Sequence, residues 1–336
     1  MSETSEALRV GVLGCGIAGG WHAGALLRLP HVTISGLVDV DPERIRRLGA
    51  RLPPLAEVPA FGTFEDMRDA VELDAVVIAT PHTQHHPQLI AAIGQGLHVL
   101  CEKPMVVSPD QASEVAAAAA ESGVVVTVDY QRRMEPGYRY ARDAIASGEL
   151  GEVRAIEATI GQGWARLTRD SWRQDPELSG GGMLMDTGSH MVDVLLWLAG
   201  SRPASVTAMV DNRGTPVDVD TAAVIGFGDG IQGQLTVLGD LPLAHVERVV
   251  VSGTEGMLVY EGDPQRPWQA GRVRHFRDGS FVQPLNLGGW EDLPAAWVDA
   301  IAGRAENPVP PSAGVRVAEL TQAIYESARQ AARLAL

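Results

Sequence analysis

A glycine loop placed directly after an apolar strand constrains this chain more than any other feature. The segment Val10-Gly11-Val12-Leu13-Gly14-Cys15-Gly16-Ile17-Ala18-Gly19 continues a β-branched run from Leu8 and leads into a helix-like stretch. Gly14 allows the tight turn, Gly16 lets backbone approach a pyrophosphate, and Gly19 lets the helix pack closely on its strand. Amides at the helix start, those of Cys15, Ile17 and Ala18 among them, then meet the phosphates. Twenty residues beyond Gly19, Asp39 closes the second strand, where a carboxylate accepts hydrogen bonds from the adenosine ribose. Val40 follows at the place where a basic side chain would hold a 2′-phosphate, and Arg44 lies in the next helix, so NAD is expected in preference to NADP. Cys15 reads as a small loop residue without a redox partner.

Strand-like runs at Leu8–Leu13, Val32–Val38, Ala75–Ala79, Leu97–Cys101 and Val124–Val128 alternate with helical stretches. Asp41-Pro42-Glu43 and Ser108-Pro109-Asp110 supply caps and first turns for two of the helices. Strand and helix in alternation make a doubly wound parallel sheet, so the fold class is α/β, with residues 1–129 as a dinucleotide-binding Rossmann domain. After Tyr130 the alternation changes, with strands at 153–160, 205–210, 222–227, 231–238, 248–251, 257–260 and 271–276. Their short glycine-containing links predict a mostly antiparallel sheet in an α+β domain over residues 130–336. One helix is predicted at Met183–Leu198, and two more near Leu293–Ile301 and Val315–Leu334, the last able to pack back on the first domain.

A length of 336 residues at ~150 per domain agrees with two domains. With 45% hydrophobic and 21% charged residues the composition is globular, and no apolar run nears the ~18 residues of a membrane span. A net charge of −15 disfavours nucleic acid but leaves a phosphate site made of backbone dipoles unaffected. Cys15 and Cys101 lack CxxC spacing, and Met1 to Glu6 is acidic and polar, so a reduced, cytoplasmic enzyme is expected.

Two further segments carry chemistry. Glu102-Lys103-Pro104 stands at the carboxyl end of a parallel strand, the edge where such sheets hold ligands. Gly180-Gly181-Gly182 opens a helix on which Asp186 and His190 are four residues apart and share a face with Asp193. The glycine loop, the Glu-Lys-Pro tripeptide and the GGG…Asp186…His190..Asp193 helix together resemble the Gfo/Idh/MocA family of sugar and inositol dehydrogenases over nearly the whole chain. That resemblance implies a large, open-faced C-terminal sheet, a sugar or polyol substrate, and a catalytic set of Lys103, Asp186 and His190. Oxidising a secondary alcohol needs a base for the hydroxyl proton while hydride leaves, which suits neutral His190. Lys103 would stabilise the developing alkoxide, and Asp186 would orient the imidazole or the substrate.

By the same resemblance Thr80, Pro81 and His85 lie against the cofactor, and Glu102 touches the nicotinamide ribose. His82 replaces the asparagine usual in the family. His82, His85 and His86 lack a fourth ligand at finger-like spacing, so no metal is expected. Trp164, Trp172 and Arg173 are candidate walls for a sugar, having flat apolar faces and donors. Tyr130 and Arg133 either face the substrate or brace its surroundings. Trp21 and His22 read as packing residues. Apolar surface on an open sheet predicts a homo-oligomer, and the resemblance implies a homodimer or homotetramer through the C-terminal sheet. The alternatives are an NAD-dependent glycoside hydrolase working by oxidation and elimination, and a dinucleotide sensor without catalysis.

Overall fold

The β-branched run Leu8–Leu13 forms β1, buried from Val10 onward, and the tight glycine turn after it leads into α1, Ile17–Leu26. The same alternation builds β2 (Val32–Val38), α2 (Pro42–Arg51), β3 (Ala60–Phe61), α3 (Phe64–Ala70) and β4 (Ala75–Ile78). It continues through α4 (His82–Ile93), β5 (His98–Cys101), α5 (Pro109–Ser122) and β6 (Val126–Val128). Asp41 caps α2 through Glu43 N with Pro42 in its first turn, as the sequence predicts. The computed structural model describes residues 7–242, 245–265, 271–282 and 287–336. The opening Met1 to Glu6 therefore lies outside the described residues.

The strands pair in parallel in the order β3-β2-β1-β4-β5-β6, a doubly wound sheet with its topological switch between β1 and β4. The short β3 edge is an addition to the strands read from sequence. Its two residues carry too little pattern to stand out. At the other edge, Asn307 Nδ2 donates to Val126 O at 2.7 Å and Val128 N donates to Val309 O at 3.0 Å, so an extended segment covers β6.

Contacts divide the chain into two compact units. The first takes the chain up to Val106, with Asp110–Asp129 and Asp292–Gly314; the second takes Val107–Pro109, Tyr130–Glu291 and Val315–Leu336. Residues 292–314, which include the helix α10 at Leu293–Ile301, thus join the first unit although they follow the second sheet in sequence.

In the second unit, α6 (Pro136–Ala146) precedes β7 (Val153–Gly161), the short helices α7 (Trp164–Leu167) and α8 (Pro176–Ser179), and α9 (Ser189–Ala199). The strands β8 (Pro203–Asp211), β9 (Asp220–Phe227), β10 (Gln232–Leu238), β11 (Val246–Gly253), β12 (Gly256–Glu261), β13 (Arg272–Arg277) and β14 (Ser280–Val282) follow. The chain then reaches α11 (Pro311–Gln330) and β15 (Leu334–Ala335). The sheet order is β14-β13-β12-β11-β7-β10-β9-β8-β15, antiparallel except where β10 runs parallel to β7. Residues such as Ala223, Ile225, Leu235 and Val237 bury one face beneath α9, whose Met191, Val192, Val194, Leu195 and Leu198 are themselves buried. On the other face Met209 is 78% and Val224 58% exposed.

Two helices differ from expectation. The final helix stops at Gln330, because Ala331 adopts a left-handed φ of 50° and Ser327 Oγ donates to Ala332 O. Leu334 then pairs with Val206 as an edge strand, where the sequence predicts continuing helix. The helix expected over Met183–Leu198 begins as a π-helical turn at Leu184–Gly188, with Gly188 N donating to Met183 O at 2.7 Å. No helix among the described residues is long and apolar enough to cross a membrane.

Candidate active site

The glycine loop is built as a backbone cradle. Gly14 has φ +91°, and a Cβ there would stand 2.4 Å from Ala79 O; one on Gly19 would stand 1.8 Å from Gly14 O. Nothing lies within 4 Å of a Cβ on Gly16, so the fold leaves this position open, with room for a ligand to approach its backbone. Gly16 is also the residue preceding α1, whose first amides have no side-chain cap. Ile17 is 71% exposed, and Ala18 is half-buried. Asp39, 7% exposed, accepts Cys15 N at 2.8 Å on Oδ2 and Asp41 N at 3.0 Å on Oδ1. Each oxygen retains acceptor capacity, which is what a ribose diol requires. The open Gly16, the uncapped helix start and the pinned carboxylate together fit a dinucleotide. Burial, and then Asp39, push the Cys15 thiol up to about 12, so it is inert.

Arg44 Nη1 lies 4.0 Å from Asp39 Oδ2, closer to that carboxylate than its place in α2 suggested. Removing the carboxylate leaves that guanidinium for a 2′-phosphate. Asp39→Ser is therefore expected to weaken NAD by roughly 10–100-fold, the loss of charged hydrogen bonds, and to tighten NADP. Titration of both cofactors checks this; unchanged NAD affinity would remove Asp39 from the site.

Thr80 Oγ1 donates to Gln88 Oε1 at 2.6 Å, and Pro81 precedes α4. His85 is fully buried, with Nδ1 2.9 Å from Pro104 O and Nε2 2.9 Å from Thr80 O. Burial lowers its pKa against the lift of the two carbonyls. Both nitrogens face backbone, so the ring is a strut between the Thr80 turn and Pro104, and any effect on a cofactor passes through them.

At the end of β5, Glu102 N donates to Ile78 O, and the Glu102 carboxylate meets a residue read as packing. His22 Nε2 lies 3.0 Å from Glu102 Oε1 and 3.7 Å from Asp129 Oδ2. These three groups place ligand-type atoms within 4.8 Å of one another, and the short imidazole–carboxylate contact is that of a hydrogen-bonded pair. Burial lowers the His22 pKa, but Asp129, the Glu102 hydrogen bond and Asp292 overcome it and raise the group to about 9 from 6.5. Burial and then Glu102 hold the Asp129 carboxyl well above its usual range. The stability from the His22 proton is complete below about 6.5 and is lost as pH rises through about 9, and Asp129 acts in the same direction. The melting temperature is thus expected to fall between pH 6.5 and 9, and His22→Leu to flatten the fall; calorimetry across that range checks it.

Lys103 is half-buried, its backbone N donates to Glu102 Oε2 at 3.2 Å, and it is the only lysine in a chain of 27 lysines and arginines.

In the second unit, the triple glycine is held by a residue the sequence reading missed. The Asp218 carboxylate accepts Gly182 N at 2.6 Å, Leu184 N at 2.7 Å and Tyr325 Oη at 2.6 Å. A Cβ on Gly182 would stand 1.9 Å from Asp218 O, so the glycine is required by this close approach. Held there, the chain enters the π turn that carries Asp186, and α9 starts one residue before His190. The sequence's single α-helix would rotate Asp186 and His190 differently, since a π turn has more residues per turn than an α turn.

Asp186 is 4% exposed, and its Oδ2 accepts Trp164 Nε1 at 2.8 Å and Arg173 Nε at 2.9 Å. Trp164, expected as a wall for a sugar, is instead 1% exposed and fixes Asp186. Arg173 also stacks over Trp172 at 4.5 Å, and both remain partly exposed. His190 is 6% exposed. Arg133 makes a bidentate pair with buried Asp193 at 2.6 and 2.9 Å and lies over Trp197, so it braces α9. Burial raises the Asp193 pKa against that pull. Tyr130 is 1% exposed.

Comparison with known proteins identifies the family of both halves of the chain. Residues 8–130 match the model of an oxidoreductase family with an NAD-binding Rossmann fold, and residues 138–259 match the GFO/IDH/MocA C-terminal domain. A 1,5-anhydro-D-fructose reductase of Ensifer adhaerens is 30% identical over 251 residues, 72% of this chain and 73% of its own length. An inositol 2-dehydrogenase of Corynebacterium glutamicum is 31% identical over 211 residues, 60% of this chain and 57% of its own. Among solved structures, GenD2 from gentamicin A biosynthesis, in complex with NAD, gives a TM-score of 0.84 at 28% identity, over 100% of this chain and 98% of that one.

Proposed function

Because the chain belongs to the GFO/IDH/MocA family of NAD-binding oxidoreductases, we propose that it moves hydride between NAD and a secondary ring hydroxyl of a sugar or cyclic polyol. When bound, the nicotinamide takes up or returns the hydride. The amides of Gly14 to Gly19 hold the pyrophosphate and Asp39 the adenosine ribose, with Thr80, Pro81 and Glu102 toward the nicotinamide end. His190 accepts the hydroxyl proton on oxidation and returns it on reduction, and the Lys103 ammonium stabilises developing negative charge. Asp186, held by Trp164 and Arg173, orients the reacting groups, while Trp172 and Arg173 present a flat face and donors to the ring.

The observation that carries this reading is Lys103. Among 27 basic residues the chain uses arginine everywhere else. Where only positive charge or packing is needed, arginine serves; a compact ammonium that can hold and release a proton is what lysine alone offers. Relatives named for 1,5-anhydro-D-fructose and for inositol support the substrate class.

The test is growth of NADH absorbance on mixing protein and NAD with a panel of cyclic polyols and sugars. Turnover of a ring alcohol supports the reading, and no turnover by NAD-loaded protein across a broad panel overturns it. The apolar side chains Met209 and Val224 on the open sheet support a homo-oligomer formed through that face, which a monomer in sedimentation would refute.

A further inference from the structure

His22 has no part in the reaction as drawn, yet it sits in a buried cluster of ionisable groups in the first unit. It projects from α1, Glu102 follows β5, and Asp129 follows β6, so residues on or just past three separate elements bring their ionisable groups together. His22 and Asp129 are 5% and 4% exposed. His22 Nε2 is 3.0 Å from Glu102 Oε1, while Glu102 Oε2 accepts the backbone N of Lys103 at 3.2 Å. At the far end of the same tripeptide, His85 Nδ1 is 2.9 Å from Pro104 O. Glu102-Lys103-Pro104 is therefore gripped on both sides of its lysine by a buried histidine.

Such a cluster is an expensive way to hold strand ends together. Burying an imidazole and two carboxyl groups carries a desolvation cost that apolar side chains of similar volume avoid. What the polar set adds is direction, because a hydrogen-bonded carboxylate can adopt few orientations.

We propose that His22 is a positioning residue: by holding the Glu102 carboxylate against the backbone of Lys103, it fixes where the lysine ammonium stands. The inference rests on the reading of Lys103 as the group that acts on the reacting hydroxyl. Asp129, 3.7 Å from His22 Nε2, completes the set, its carboxyl held well above the usual range by burial and then by Glu102. His22 thus acts through Glu102 and touches neither substrate nor the reacting atoms.

The experiment compares His22→Gln, whose amide places a donor near the position of Nε2, with His22→Leu, which has none. Because Lys103 is the sole lysine, acylation by acetic anhydride followed by peptide mass spectrometry reads one side-chain amine and needs no substrate. In NAD-loaded protein, His22→Leu is expected to change the Lys103 acylation rate by about threefold or more and to lower kcat by about 100-fold, the cost of an ångström-scale misplacement. His22→Gln should keep the acylation rate within about 1.5-fold and kcat within about fivefold of wild type, and the NAD dissociation constant should stay within about threefold in each variant. A wild-type acylation rate in His22→Leu overturns the proposal, as does an equal loss in both variants, which would indicate damaged packing. If the wild-type protein oxidises no polyol, the proposed reaction fails, while the acylation comparison still decides whether His22 sets the place of Lys103. Should leucine prevent folding, His22→Asn, whose shorter amide falls short of Glu102, supplies the same contrast.

Discussion

Lys103→Arg is expected to lower turnover by about 100- to 1,000-fold, the range for losing one preorganised donor at a developing oxyanion. The NAD dissociation constant should rise far less than turnover falls. The substitution keeps a positive charge and fills the space, so a role in bulk electrostatics or packing would survive it. A planar, permanently charged guanidinium cannot place three donors about one point or give up a proton, and the longer side chain moves the charge centre. The chain's other basic positions are all arginine, so arginine is a residue this protein uses freely in its ion pairs. Steady-state kinetics on a substrate from the polyol panel, with NAD titration alongside, checks the result. Activity within threefold of wild type would remove Lys103 from the chemistry.

His190→Gln should lower kcat by about 100- to 10,000-fold, the span of a lost general acid–base group, with a much smaller change in KM. Glutamine keeps a hydrogen-bonding amide near the position of the ring nitrogen and preserves substrate contact, but it cannot take a proton. The surroundings of His190 should tolerate the change, because the turn before it is held by Asp218 through Gly182 N and Leu184 N. Single-turnover measurement of nicotinamide reduction separates the chemical step from cofactor release. A variant that reduces NAD at the wild-type rate would assign the proton to another group.

The two positions differ in how well their surroundings can be read from sequence. Asp186 and His190 stand four apart, which suggests one helical face, but the conformation of the segment is settled elsewhere. Asp218, thirty-six residues from Gly182, binds two of its amides and so initiates a π turn. Trp164 reads as a sugar wall because an indole is flat and apolar; its N–H reaches Asp186 across twenty-two residues of chain and its ring is buried. Nothing along the chain near Arg133 distinguishes a substrate contact from a brace; its bidentate pair with Asp193, sixty residues on, makes it a brace. For His22 a weak local signal existed, since it lies three residues past Gly19 on the helix that packs against the sheet, but nothing nearby indicates a carboxylate eighty residues away.

By itself, the sequence determined the parts of this protein that depend on neighbours along the chain. The glycine turn needs a left-handed φ at Gly14 and bare backbone at Gly19, and both requirements are met within a few residues. The strand alternation, the cap at Asp41 and the placement of Asp39 at a strand end follow from periods of two and three to four residues. Tertiary structure alone decided which charges meet: His22 with Glu102 and Asp129, Asp218 with the triple glycine, Asp186 with Trp164 and Arg173. A buried charge is tolerated only where partners from other elements supply its hydrogen bonds, and the identity of those partners is a property of the packed fold, not of any short stretch of chain.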